Sequence, residues 1–255
     1  YKFKIAPVLT QAKGLLFISE EEYRQSFESY KPSIGARLLT RYGISPPSFD
    51  RAFYTGNMTR TALGLNEYQI LSYVGRLHPG KGLDLLIKAV AALPDKSNLK
   101  IVIAGPATGA YDKELQHLAR RLQVDSHFLW VGPVWGDDKW SLYNDSDAFI
   151  LPSHMENFGI VLFEAMSQRC PVLLTNRVNT YREIDNAQAG LVEEDSVDGI
   201  TRLLRRFANL SMADRTQMGQ NGHDLVNRHF LIDHAIQDVI SLVSQQTDAA
   251  ISSRK

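Results

Sequence analysis

The sequence is short of cysteine, of net charge and of long apolar runs, and each shortage closes a class of function. Its one cysteine, Cys170, has no second thiol in the chain to pair with, which favours a reducing compartment. Lys plus Arg equals Asp plus Glu at 28 each over 255 residues, so no global basic field exists to hold nucleic acid, and none is expected as a partner. There is no apolar run of about 18 residues, and no signal-peptide pattern. The expected location is cytoplasmic, with a peripheral position on the cytoplasmic face of a membrane left open. Asn57, Asn144 and Asn209 match the glycosylation pattern, but without a secretory signal they read as chance. The histidines lack ligand spacing such as H-E-x-x-H, so neither a metal nor another cofactor is expected.

What is present is an ordinary soluble composition, with 44% hydrophobic and 22% charged residues. From residue 68 onward, short apolar runs alternate with amphipathic ones. "QILSYVG" (69–75), "LKIVIAG" (99–105), "HFLWVG" (127–132), "DAFILPS" (147–153), "PVLLTN" (171–176) and "AGLV" (189–192) read as strands. "GLDLLIKAVAAL" (82–93) places Leu83, Leu86, Ile87, Val90 and Leu93 on one helical face. "YDKELQHLARRLQ" (111–123), "DDKWSLYND" (137–145) and residues 159–168 are further helices, and 197–246 reads as a helical tail. Six strands separated by helices imply a doubly wound parallel α/β sheet, with ligands expected beyond the carboxyl ends of its strands.

Ahead of this, "GLLFIS" (14–19) reads as a strand and "EEEYRQSFESY" (20–30) as a helix. Residues 31–67, which hold Gly43, Pro46, Pro47, Gly56 and Gly64, read as a linker. The chain opens at Tyr1 on what reads as mid-domain sequence. The expected organisation is therefore a remnant of an earlier domain and a linker over 1–67, a Rossmann-like domain over 68–230, and a C-terminal helix with a frayed tail over 231–255.

Two segments carry candidate chemistry. "YVGRLHPGKGLDLL" (73–86) joins a strand to a helix. Gly75 lets backbone approach a ligand, and Arg76 and Lys81 flank the loop before the helix. Two cations beside the uncompensated N–H groups of a helix start suit a diphosphate. A surface turn with two solvated cations fits the same residues. The loop is neither a Walker A sequence nor G-x-G-x-x-G.

"HMENFGIVLFEAM" (154–166) sets Glu164 among Val161, Leu162, Phe163 and Met166, where a carboxylate is costly unless something binds it. Glu156 lies seven residues earlier, ahead of Gly159 at the apparent helix start. One acid on the loop and one on the helix can face a single cleft. Paired ribose hydroxyls would suit one of these acids, and hexose hydroxyls the other. Alternatively, Glu164 pairs with a buried Lys or Arg, and Glu156 is a solvated loop acid.

At this point "VGRLHPGKGLDLLIKA" and "ILPSHMENFGIVLFEAMSQRCPVL", in that order, resemble the retaining glycosyltransferases of family 4, which have the GT-B fold. The resemblance covers roughly residues 68–205, the donor-binding domain of that family. It implies that Arg76 and Lys81 hold the donor diphosphate and that Glu156 meets the donor sugar. It implies that Asn157, Phe158, Gly159 and Ile160 form the loop around sugar and phosphate, and that Glu164 takes the ribose. Val131 to Val134 would border the base, although those apolar residues fit a core role equally. A nucleoside diphosphate-sugar is the implied donor, a glycan or lipid-linked molecule the acceptor, and a preceding domain the partner across the cleft. The implied activity is hexosyl transfer in polysaccharide biosynthesis. A nucleotide-sugar-binding module without turnover and a GT-B epimerase remain as alternatives. Asn157 stands where the family often has glycine, Arg169 and Cys170 precede the "PV" strand, and "NTYRE" (179–183) lacks the usual glycines. Arg182 fits either a replacement cation or a surface arginine. His78 and His154 lie near the site without a clear role.

Overall fold

The computed structural model describes residue 12 and residues 14–30, 36–40, 42–47, 56–95 and 98–252. In chain order its elements begin with β1 (Gly14–Phe17), α1 (Glu20–Tyr30) and β2 (Ala36–Leu39). They continue with β3 (Gln69–Val74), α2 (Leu83–Ala92), β4 (Leu99–Ala104), α3 (Tyr111–Arg121), β5 (Phe128–Gly132) and α4 (Gly136–Asp145). Then come β6 (Ala148–Leu151), α5 (Ile160–Ser167), β7 (Val172–Thr175), α6 (Tyr181–Asn186) and β8 (Gly190–Glu193). The last three are α7 (Val197–Ala208), α8 (Met212–His229) and α9 (Ile232–Ser252).

The described residues divide into two compact units, one within 46–226 and the other within 1–45 and 227–255. The larger unit is built on a six-stranded sheet of order β5-β4-β3-β6-β7-β8, every pairing parallel. Strands buried on both faces read as continuous apolar runs, and Ile101, Val102, Phe149, Ile150, Leu173 and Leu174 are each fully buried. In α2, Leu83, Leu86, Ile87, Ala89 and Val90 are buried, the stripe that the helical period demands. The chain winds outward from β3 to β5, then returns to β6 on the other side. That reversal puts a topological switch point between the carboxyl ends of β3 and β6, where ligands bind in open parallel sheets.

In the smaller unit, β1 and β2 pair in parallel, and Tyr23 on α1 packs edge-on to Phe17 at 5.2 Å. Ile44 joins the start of α9 through bonds to Phe230 and Ile232 of 2.8 and 2.9 Å. Two readings need correction. The stretch taken as linker contains β2, and its residues 31–35, 41 and 48–55 lie outside the described residues, as do 1–11 and 13 at the chain opening. The segment taken as frayed is helical through Ser252, with 253–255 outside the described residues.

Candidate functional site

Both sequence segments meet at the switch point. After β3, a tight turn over Pro79–Lys81 leads into α2, and the His78 side chain accepts from the Gly80 N–H at 3.1 Å to cap that turn. Gly82 ends the turn with φ 66° and begins α2. A Cβ there would lie 1.9 Å from the Pro152 carbonyl oxygen, so the loop after β3 presses directly on the loop after β6. The His154 N–H donates to the Gly80 carbonyl at 3.0 Å and fastens the same contact. Its ring nitrogens lie 2.8 Å from Asp195 and 3.7 Å from Asp84, linking the starts of α2 and α7. His154 thus occupies a structural place between three loops.

This clamp brings Lys81 to Glu156. The ammonium donates to the carboxylate, and the two side chains are only 22% and 19% exposed. Glu156 is fixed along its main chain as well, its N–H donating to Arg177 at 3.0 Å and its carbonyl accepting from Asn179 at 2.9 Å. Arg76 is exposed on the preceding loop, and its carbonyl accepts from the Tyr73 hydroxyl at 2.9 Å. Burial, then Glu156 and Tyr111, raise the Tyr73 phenol above its usual range, while Arg76 opposes them. Arg76 and Glu156 therefore both act electrostatically on one buried hydroxyl. Tyr111 is pushed up to about 12 by burial first, then by Asp84 and Glu114.

Gly159 caps α5 in the left-handed conformation, φ 74°, and as a glycine supplies no side-chain cap. The capping residue therefore offers no side-chain acceptor to the first N–H groups, an arrangement that favours an anion. Phe158 is buried and stacks on Phe163 at 4.7 Å, which holds the loop against its own helix. Ile160 is 44% exposed at the helix start. Two of the positions that depart from the family pattern bind each other, and a third bonds the neighbouring Phe158. The Asn179 side chain donates to Asn157 at 3.0 Å, and the Thr180 hydroxyl donates to the Phe158 carbonyl at 2.8 Å. Arg182 lies over the Tyr181 ring, exposed at the start of α6.

Glu164 is held as the pairing alternative has it. Lys139 on α4 donates to one carboxylate oxygen at 2.8 Å, and the fully buried Tyr143 donates to the other at 3.1 Å. Burial and the Glu164 carboxylate raise the Tyr143 phenol well above its ordinary value, so it remains a donor. Sequence reading missed Lys139 and Tyr143. A signal existed: an acid inside an apolar helix needs a cation, and Lys139 is the one basic residue on α4. A carboxylate offers about four acceptor positions, so two partners leave room for ribose hydroxyls. Gly75 ends β3, Val131 is half-buried on β5, and Val134 is buried at 8% exposure, which suits packing. Nothing in the described geometry ties Val131 or Val134 to the acid and cation group. Among the described residues, no group of three or more His, Cys, Asp or Glu is placed to hold a metal ion. Among them, too, no helix is long and apolar enough to cross a membrane.

A parallel sheet in this order, with a cation, an acid and an open helix start at its reversal, defines a doubly wound domain of the Rossmann type. The family described as "Glycosyl transferases group 1" matches residues 59–225, and the chain belongs to it. Its fold is that of the GT-B glycosyltransferases. The D-inositol 3-phosphate glycosyltransferase of Mycolicibacterium gilvum is 32% identical over 173 residues, 65% of this chain and 37% of that protein. Its counterpart from Gordonia bronchialis is 29% identical over 231 residues, 82% of this chain and 50% of that protein. The chain thus spans about half the length, or less, of these curated relatives. Among solved structures, a glycosyltransferase from Rickettsia africae aligns with a TM-score of 0.82 at 16% identity, over 94% of this chain and 66% of that one. HepE from Anabaena, solved with UDP and glucose, aligns at 0.79 and 19% identity over the same shares.

Proposed function

We propose that the protein is a retaining glycosyltransferase that moves a sugar from a UDP- or GDP-sugar to a glycan or lipid-linked acceptor in polysaccharide biosynthesis. The observation that carries this reading is the convergence of Lys81, Glu156 and the uncapped start of α5 at the β3/β6 switch point. Lys81 and the α5 N–H groups take the diphosphate, with Arg76 adding charge from the loop after β3. Glu156 accepts from the sugar hydroxyls, and Glu164, aimed by Lys139 and Tyr143, accepts from the ribose. HepE, with UDP and glucose bound, supports the donor class by analogy.

In the transfer step, the bond between the anomeric carbon and the phosphate oxygen breaks, and the electron pair leaves with the phosphate. An acceptor oxygen bonds that carbon on the same face and passes its proton to the departing phosphate. Negative charge grows on the leaving group. Fixed cations and helix N–H groups meet it without reorganising, which is electrostatic catalysis and needs no metal. The acceptor and the domain across the cleft belong, on this reading, to the part of the relatives' length that this chain does not span. Calorimetry with UDP- and GDP-sugars on the chain, and turnover in the full-length protein with Arg76→Ala, Lys81→Ala and Glu156→Ala, test it. Binding by the chain and a loss of turnover of about 100-fold or more in the variants are expected. Unchanged turnover in all three would refute the assignment.

A further inference from the structure

We propose that Glu156 has a second role: it takes Lys81 back when the sugar leaves, and so weakens the site's hold on the spent nucleoside diphosphate. This rests on the donor reading above. Its basis is the direct ion pair between two side chains that are mostly withdrawn from water. Neither partner is free to drift. Glu156 is bonded through both its N–H and its carbonyl, and the Lys81 N–H donates to His78 at 2.9 Å in a turn pinned against Pro152. Competition for Lys81 is therefore settled by side chains.

Lys81 has three N–H donors. A phosphate oxygen and a Glu156 oxygen bonded to the same ammonium lie within roughly 6 Å of each other. Two like charges at that range repel appreciably in a partly buried site. In the donor complex, sugar hydroxyls donate to Glu156 and offset that repulsion. Once the sugar is transferred those donors are gone. The carboxylate then turns its full charge on Lys81 and on the remaining diphosphate. The same residue that holds the sugar thus helps to eject the product, and it biases the site toward the intact donor over the nucleoside diphosphate. His154 lies between Asp195 and Asp84 beside this loop, Asp84 also pairs with Lys88 at 2.7 Å, and among the described residues none of these groups pairs with Lys81.

The test is calorimetry on the 255-residue chain with UDP and GDP and with UDP-glucose and GDP-mannose. The proteins are wild type, Glu156→Gln, Glu156→Ala, Lys81→Met and the double variant Lys81→Met/Glu156→Gln. Both Glu156 variants are expected to bind the bare nucleoside diphosphate about tenfold tighter than wild type. They should show no such gain for the nucleotide-sugar. In the Lys81→Met background the gain should vanish. If both Glu156 variants bind the bare diphosphate no tighter than wild type, the proposal is overturned while the donor reading stands. If wild type binds none of the four compounds, or Lys81→Met binds them as wild type does, the donor reading fails and takes this proposal with it.

Discussion

Replacing Gly82 by alanine separates the two loops that form the site, and the cost can be worked from the structure. At φ 66° a non-glycine residue loses about 1–2 kcal/mol to left-handed strain. The added Cβ also falls 1.9 Å from the Pro152 carbonyl oxygen, where a carbon–oxygen contact settles at about 3.3 Å. The loops after β3 and β6 must therefore part by about 1.4 Å. Overpacking of this kind adds about 1–3 kcal/mol, giving about 2–5 kcal/mol in total. Gly64 is the internal control. It has φ 68° with nothing within 4 Å of its added Cβ, so Gly64→Ala carries the backbone strain alone. Denaturant unfolding should place Gly82→Ala about 1–3 kcal/mol below Gly64→Ala. A displacement near 1 Å between Lys81 and Glu156 should also lower turnover of the full-length protein about 100-fold, with Gly64→Ala near wild type. Equal stability and equal turnover in the two variants would refute the clamp.

Further outcomes are expected elsewhere in the larger unit. Glu164→Ala should weaken UDP or GDP binding about tenfold or more while leaving inorganic pyrophosphate binding unchanged, as calorimetry with both probes would read. Phe158→Ala empties a buried stack against Phe163 and should cost about 3–4 kcal/mol of unfolding free energy, with a loss below about 1 kcal/mol counting against the packing role. Burial tends to raise the Glu193 carboxyl, but hydrogen bonds from Arg202 and Arg206 outweigh it and hold the group below its ordinary 4.5. A depressed carboxyl contributes stability that is complete above its unfolded value and lost as pH falls through the folded one. Stability should therefore drop below about pH 4.5, and Glu193→Gln should flatten that part of the profile measured by denaturant unfolding at stepped pH.

The sheet was legible because its strands are short, apolar on both faces and punctuated by turn residues, as in Gln69–Val74 and Leu99–Ala104. β2 was not. Four residues, Ala36–Leu39, carry too little period to announce a strand, and its pairing with β1 is non-local. The segments holding Lys81, Glu156, Gly159 and Glu164 stood out as candidates, since buried charge and glycine at strand ends need a reason. Who satisfies each charge was less so. The pairing of Glu164 with Lys139 and Tyr143 depends on how α4 packs on α5, and a spacing rule within one helix carries no information about its neighbour. Asn157, Asn179 and Thr180 lie where the sequence departs from the family pattern. In space Asn179 bonds Asn157 and Thr180 bonds the Phe158 carbonyl, and together they tie the loop after β7 to the loop after β6.

The most direct measurement is a crystal structure of the chain with UDP-glucose or GDP-mannose, refined with the nucleotide's position free. The diphosphate is expected within hydrogen-bond reach of Lys81 and the first N–H groups of α5, with the ribose on Glu164. A nucleotide bound instead at the opposite end of the sheet, in the cavity of about 500 Å³ lined by Gln69, Leu93, Leu204 and Phe207, would contradict it.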